Sequence, residues 1–237
     1  MTPDQIRDQI AENLGQVRER IADASLRSGR KPDDVLLVAV TKYVGLEMIE
    51  PLIDAGASVL GESRPQQFWP KAEALADRPI RWHMIGQLQR NKIRRTLPLV
   101  EMIHSAESAR LVGAIDRIAG DLSLRMPLLL EVNVSGDETK HGFSPKELEA
   151  ELSNLATCRN VEIRGLMCMA GLGTDAEGAR GDFAALRGLR DRLRVNCPSE
   201  VKLDELSMGM SGDYEVAIEE GATIVRVGSA LYEGLSW

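Results

Sequence analysis

Short aliphatic and β-branched runs alternate with amphipathic stretches along nearly the whole chain, and that alternation leaves few folds open. The apolar runs fall near 35–41, 57–60, 80–85, 100–104, 127–134, 161–167, 203–206 and 223–227. Stretches of helical periodicity fill the gaps, for example 106–119, 145–156, 176–195 and 213–220. Strands rich in Val, Ile and Leu on both faces belong to a parallel sheet covered by helices. Eight such units close into a (β/α)8 barrel, which takes roughly 250 residues, and this chain has 237. An open, doubly wound sheet is the competing topology. One more helix precedes the first strand. Thr2-Pro3-Asp4-Gln5 offers a capping hydroxyl, a proline in the first turn and an acid, and Ile6, Ile10, Leu14, Val17 and Ile21 then recur at helical spacing until Gly29. With no low-complexity linker, the expectation is one α/β domain over 1–237, a single TIM barrel with an added N-terminal helix.

A formal net charge of −7 argues against broad binding to nucleic acid or to an anionic membrane. Cys158, Cys168 and Cys197 have no paired spacing and leave an odd thiol, which predicts a reducing, cytoplasmic setting. The first thirty residues are polar with no signal-peptide core, and no apolar run approaches the ~20 residues of a membrane span.

In a barrel, chemistry sits at the carboxyl ends of the strands. Lys42 comes two residues after the first apolar run, "LLVAV", and is therefore expected at the catalytic mouth. It reads either as a rim lysine snorkelling into water or as an amine for imine formation, which needs a neutral lysine such as one desolvated at an apolar strand end. The other end of the chain bears on the choice. In "TIVRVGSALYEG", alternation puts Ile224, Arg226 and Gly228 on one face, and an arginine inside a barrel strand is costly unless it meets a carboxylate or a ligand acceptor. Gly228-Ser229 lies just past that strand, where backbone N–H groups and a hydroxyl suit an anion, and phosphate sites in barrels form after strands seven and eight. The seventh run adds Ser207 at its end, then Gly209, Ser211 and Asp213 opening a helix. Strands one and eight are neighbours in a closed barrel. A ligand with an aldehyde at one end and a phosphate at the other fits, and pyridoxal 5'-phosphate (PLP) is the obvious candidate.

The motifs "AVTKY" (39–43), "GES" (61–63), "WHMIGQLQRNK" (82–92), "VNVSGDETKHGF" (132–143), "IRGLMCM" (163–169), "LSMGMSGDYEVAI" (206–218) and "VRVGSALYEG" (225–234) occur in order. Together they closely resemble the pyridoxal phosphate homeostasis proteins, over 35–234. The resemblance implies a barrel related to the N-terminal domain of alanine racemase, holding PLP as a Schiff base on Lys42. It also implies Arg226 facing the pyridine nitrogen, and Gly228, Ser229 and Ser207 on the phosphate. Ser211 joins them as a further cofactor contact or serves as a helix cap. The family usually has asparagine where this chain has Ser63, and Arg64-Pro65-Gln66-Gln67 also departs from its pattern, so no ring contact is carried over there.

Other motifs read more simply. Gly171-Leu172-Gly173-Thr174-Asp175-Ala176 lacks the acidic ribose partner of a dinucleotide fingerprint and reads as a loop. His83, His104 and His141 are too scattered for a metal motif, and no metal is expected. His83 is either a ligand contact or a hydrogen-bonded core histidine. The basic run Arg90–Arg95 lacks interleaved aromatics and reads as a solvated helix face. Lys140, after strand five, is either an exposed loop lysine or a second amine that accepts the aldehyde during transfer. Two functions remain. One is a racemase of the alanine racemase type, which needs a tyrosine from a separate β-domain, whereas this chain ends at Trp237 just after the eighth strand. The other, favoured here, is a non-catalytic, monomeric PLP carrier with transient contact to PLP-dependent apoenzymes.

Overall fold

A computed structural model describes residues 1–137, 141–171 and 175–236. Helix α1 (Pro3–Arg27) leads into β1 (Leu36–Val40), α2 (Leu46–Asp54), β2 (Val59–Glu62), α3 (Pro65–Ala74) and β3 (Arg81–Met84). The chain continues through α4 (Ile93–Thr96), β4 (Met102–Ala106), α5 (Ala109–Asp121), β5 (Met126–Glu131) and α6 (Pro145–Leu155). It ends with β6 (Val161–Met167), α7 (Ala176–Asn196), β7 (Glu205–Ser207), α8 (Tyr214–Glu219) and β8 (Ile224–Val227). The strands pair in parallel in sequence order, and β1 pairs with β8 from Leu36↔Ile224 to Ala39↔Val227, so the sheet closes. The TIM barrel is therefore the observed topology, and the open sheet is excluded.

Local chemistry explains the element starts. Thr2 and Gln5 form a reciprocal capping box at α1, and Ser144 with Glu147 does the same at α6. Alternation then sorts the strands into two cores. Val38, Val59, Met102, Leu129, Met167 and Ile224 fill the barrel interior, while Ala39, Leu60, Ile103, Leu128, Leu166 and Val225 pack outward against the helices. Helix α1 adds Ile10, Leu14, Val17 and Ile21 to this outer core.

One connection differs from the expected pattern. Between β3 and β4 there is no full amphipathic helix, only the four-residue α4 between two 3-10 turns, Arg90–Lys92 and Leu97–Leu99. Pro98 has no N–H to extend the helix. The basic run is solvated as expected, but Lys92 and Arg95 also lie over the Trp69 ring, and Arg94 and Arg95 pair with Asp121 and Glu73. No helix is long and apolar enough to cross a membrane among the described residues.

Candidate functional site

At the carboxyl ends of the strands lies a cavity of about 580 Å³, lined among others by Lys42, Glu131, Ser211, Arg226, Gly228 and Ser229. Each wall follows from a strand end. Val40 closes β1 and the chain turns at once, with Val44 N–H donating to Thr41 O at 3.2 Å, so Lys42 and Tyr43 form the corners of a turn over the mouth. The Lys42 ammonium sits 4.8 Å from the centre of the Tyr43 ring.

The opposite wall is built from the ends of β7 and β8. Gly209 has φ +94°, and an added Cβ would lie 2.6 Å from Ala217 Cβ and 2.9 Å from Tyr214 Cα, so only glycine makes this reversal. Met210–Gly212 then arc over the mouth, and Met210 N–H donates to Asp213 Oδ1 at 2.6 Å. Ser211 Oγ accepts from Gly228 N–H at 3.0 Å and Ala230 N–H at 3.4 Å. Two backbone donors thus converge on one oxygen at the cavity wall, and Ser229 lies between them. Because Ser211 Oγ already accepts two bonds, its own proton is left to donate.

Arg226 is 4% exposed and lines the cavity from below. Nη1 donates to Ser207 Oγ at 2.7 Å and Nη2 to the Cys168 carbonyl at 3.0 Å. Its remaining N–H groups have no other acceptor among the described residues, and burial lowers its proton affinity. Ser207 is placed differently from the expectation. It is fully buried and absent from the cavity wall, lying between Arg226 and His104 Nδ1 (2.9 Å), where it braces the arginine. The chain continues from His104 Nε2 to His83 Nδ1 at 2.9 Å. Arginine only donates, so Ser207 accepts from it, and the one acceptor its own proton finds among the described residues is His104 Nδ1. With the proton placed there, His104 carries its own on Nε2 and gives it to His83 Nδ1, which leaves the His83 proton on Nε2, without a partner among the described residues. Burial first, and then nearby positive charge, lowers His83 to about 3. Burial, His83 and Arg226 hold His104 well below its ordinary value. Both rings are neutral. His83 is therefore a core histidine and lines no part of the cavity.

Sequence reasoning missed two features. Glu131 ends β5 inside the cavity at 5% exposure, and burial, then Glu107, raises its proton affinity against the pull of Arg226 and His141. The signal is present in the sequence: a charge ending the run "MPLLLE" resembles Lys42 just past "LLVAV". The second feature is a buried ion pair, Lys71 to Glu62 at 2.6 Å. Lys140 lies outside the described residues, as does part of the 171–176 loop. Among the described residues, no three His, Cys, Asp or Glu side chains gather as a metal site.

The family model described as "Alanine racemase, N-terminal domain" matches residues 7–236. A pyridoxal phosphate homeostasis protein of Aquifex aeolicus is 41% identical over 221 residues, covering 93% of this chain and 96% of that protein. The chain belongs to the pyridoxal phosphate homeostasis protein family. PipY of Synechococcus elongatus PCC7942, solved with PLP bound, is 38% identical and superposes with a TM-score of 0.84 over 94% of this chain and 99% of that one. Alanine racemase from Bartonella henselae is 15% identical, with a TM-score of 0.72 over 95% of this chain and 58% of the racemase. That likeness carries the fold alone, and the expected relation to the racemase barrel holds.

Proposed function

We propose that the protein is a carrier of pyridoxal 5'-phosphate in cytoplasmic cofactor homeostasis, a monomer that stores, buffers or delivers PLP without turnover of its own. One observation carries the reading: Lys42, the one amine lining the cavity among the described residues, shares its space of about 580 Å³ with a convergent set of anion donors at Gly228–Ala230. The names of the Aquifex relative and of the PLP-bound PipY support it.

The residues present fit the group. Ser211 Oγ already stands, as an oxygen, where two backbone N–H groups converge, which is the position a phosphate oxygen would share or take. Bound PLP supplies an aldehyde, which condenses reversibly with a neutral amine and releases water. Lys42 provides that amine. The Gly228 and Ala230 N–H groups with the Ser211 and Ser229 hydroxyls hold the phosphate. Arg226 offers only donors and so suits a ring nitrogen that carries no proton, an arrangement that weakens electron withdrawal by the ring. Ser207 acts through Arg226.

The test combines a spectrum with two activity assays. Protein incubated with PLP should show a visible band lost in Lys42→Ala, and borohydride reduction with peptide mapping should label Lys42. The loaded protein should restore an apoenzyme's activity within minutes in the presence of a trap for free PLP. L-Alanine incubated with it should stay L by chiral chromatography. Racemisation dependent on Lys42 would restore the enzyme reading.

A further inference from the structure

The turn that carries Lys42 is a thin wall. On one side lies the cavity just described. On the other lies a second hollow of about 530 Å³, lined by Lys42, Tyr43, Val44, Leu46, Gln67 and Lys71 among others. Val44 anchors one end of the turn in the outer core at 5% exposure, but Lys42 and Tyr43 border open space on both faces, and packing fixes a segment only where neighbouring atoms fill the space. Polar bonds at the base of the turn supply the rest of the restraint.

Those bonds converge on Thr41, which is fully buried. Its N–H donates to Gly61 O at 3.0 Å, and its hydroxyl donates to Glu62 Oε1 at 2.7 Å. Its carbonyl accepts from Val44 N–H within the turn and from Lys71 Nζ at 2.8 Å. Lys71 reaches in from α3 and closes the set through its 2.6 Å pair with the same Glu62 oxygen. Glu62 ends β2 facing outward, fully buried between barrel and helices, and its Oε2 has no partner among the described residues. A buried ion pair with an unsatisfied oxygen is a poor stabilising device, since desolvation offsets most of its attraction. Its geometric effect is specific: every polar atom of the residue before Lys42 is tied to the end of β2 or to α3.

We infer that Glu62 and Lys71 are positioning residues, which hold the Thr41–Val44 turn so that the Lys42 amine faces the main cavity and not the second hollow. The inference rests on Lys42 being the capturing amine of the proposed function. In that step the amine nitrogen forms a bond to the aldehyde carbon, the aldehyde oxygen leaves as water, and no oxidant is needed. Misplacing a reacting group by about 1 Å costs up to about a hundredfold in rate, so a turn free to lean either way should be felt in rate before affinity.

The test uses Lys71→Met and Glu62→Gln, with Lys71→Arg as the conservative variant that keeps the charge. Three quantities are read. Stopped-flow absorbance gives the rate of covalent capture of PLP. Titration with 4'-deoxypyridoxine 5'-phosphate, which has no aldehyde, gives the affinity of the ring and phosphate site alone. In protein without PLP, acetylation of Lys42 relative to other lysines, followed by mass spectrometry, reports where the amine faces. Expected are capture slowed by about tenfold or more in Lys71→Met and Glu62→Gln, deoxy-analogue affinity within about threefold, an altered Lys42 acetylation rate, and recovery in Lys71→Arg. Capture at the wild-type rate, or capture and analogue affinity falling together, would overturn the positioning role. If the wild-type protein fails to bind the analogue, the proposed function fails, and the acetylation comparison still decides whether the pair orients Lys42. A variant that does not fold leaves the decision to the other two.

Discussion

The neutral histidine pair beneath Arg226 should make the fold sensitive to mild acid, by an amount the structure sets. His83 is 1% exposed and its proton affinity is lowered to about 3, against an ordinary value of 6.5. The unfolded chain takes up a proton near 6.5 that the folded chain refuses until about 3. Stability from this group is thus complete above pH 6.5 and lost as pH falls below it. Each pH unit in that window costs about 1.4 kcal/mol, so between pH 7.5 and 5.0 His83 alone removes about 2 kcal/mol. His104, also lowered, acts in the same direction. A loss of this size is a large share of the ~5–15 kcal/mol typical of a folded domain. Other groups do not imitate it. Glu177 and Glu219, held low by hydrogen bonds from Arg180, act only below their ordinary value of 4.5. Glu131 and Asp213, raised by burial, work in the opposite sense and are common to wild type and variant. The assay is urea unfolding at pH 7.5, 6.0 and 5.0 for wild type and His83→Gln, whose amide oxygen can still accept from His104. The variant should lose about 2 kcal/mol less than wild type over this range. Equal losses in the two proteins would refute a buried, neutral His83.

Two further outcomes are expected. Ser229→Ala should leave the urea midpoint unchanged while weakening PLP retention by roughly tenfold to a hundredfold, since a hydrogen bond to a charged group contributes about 1.5–3 kcal/mol; pyridoxal without phosphate should bind far more weakly than PLP, and equal affinities in equilibrium dialysis would remove the cradle from the reading. Gly209→Ala should destabilise the fold by about 1–3 kcal/mol through overpacking, with its new Cβ against Ala217 and Tyr214, and an unchanged urea midpoint would show that the reversal after β7 does not need glycine.

The barrel was legible because its signal is local. Each strand declares itself by composition, and most observed strand bounds fall within two residues of the apolar runs. Lys42 and Arg226 were legible for a related reason: a charge within or just after an apolar strand stands out against its neighbours. Glu131 and Glu62 carry the same mark and were passed over, one inside the longer run 127–134 and one inside a motif read only for its resemblance. The polar chain was not legible. Its links join residues 21, 103 and 19 positions apart, and alternation says that His83, His104, Ser207 and Arg226 face inward without saying which of them touch. Ser207 shows the limit most clearly. The sequence places it at a strand end, but depth depends on the stagger of the closed barrel, and β7 meets β8 with Ser207 opposite Ile224, one inward position below Arg226.

That stagger also bears on why an arginine sits in the barrel at all. Arg226 forms no ion pair among the described residues. Its hydrogen-bond partners are a hydroxyl and a carbonyl, while Glu131 and Asp213 act on it only at longer range. A buried guanidinium with neutral partners is destabilising, and an apolar residue at this position would join Val38 and Ile224 in the interior at lower cost. The chain instead supports the arginine with Ser207, His104 and His83, and leaves the last ring with a nitrogen that has no partner among the described residues. Three further buried polar residues around one charge make sense as fixing a direction. Two of the five N–H groups of Arg226 are tied down on neutral acceptors, so those facing the cavity are held ready for an acceptor there. Local cost at a functional position, offset by the apolar barrel beneath it, is where consistency between sequence and fold is expected to break. Here it breaks at the cavity that Arg226 shares with Lys42.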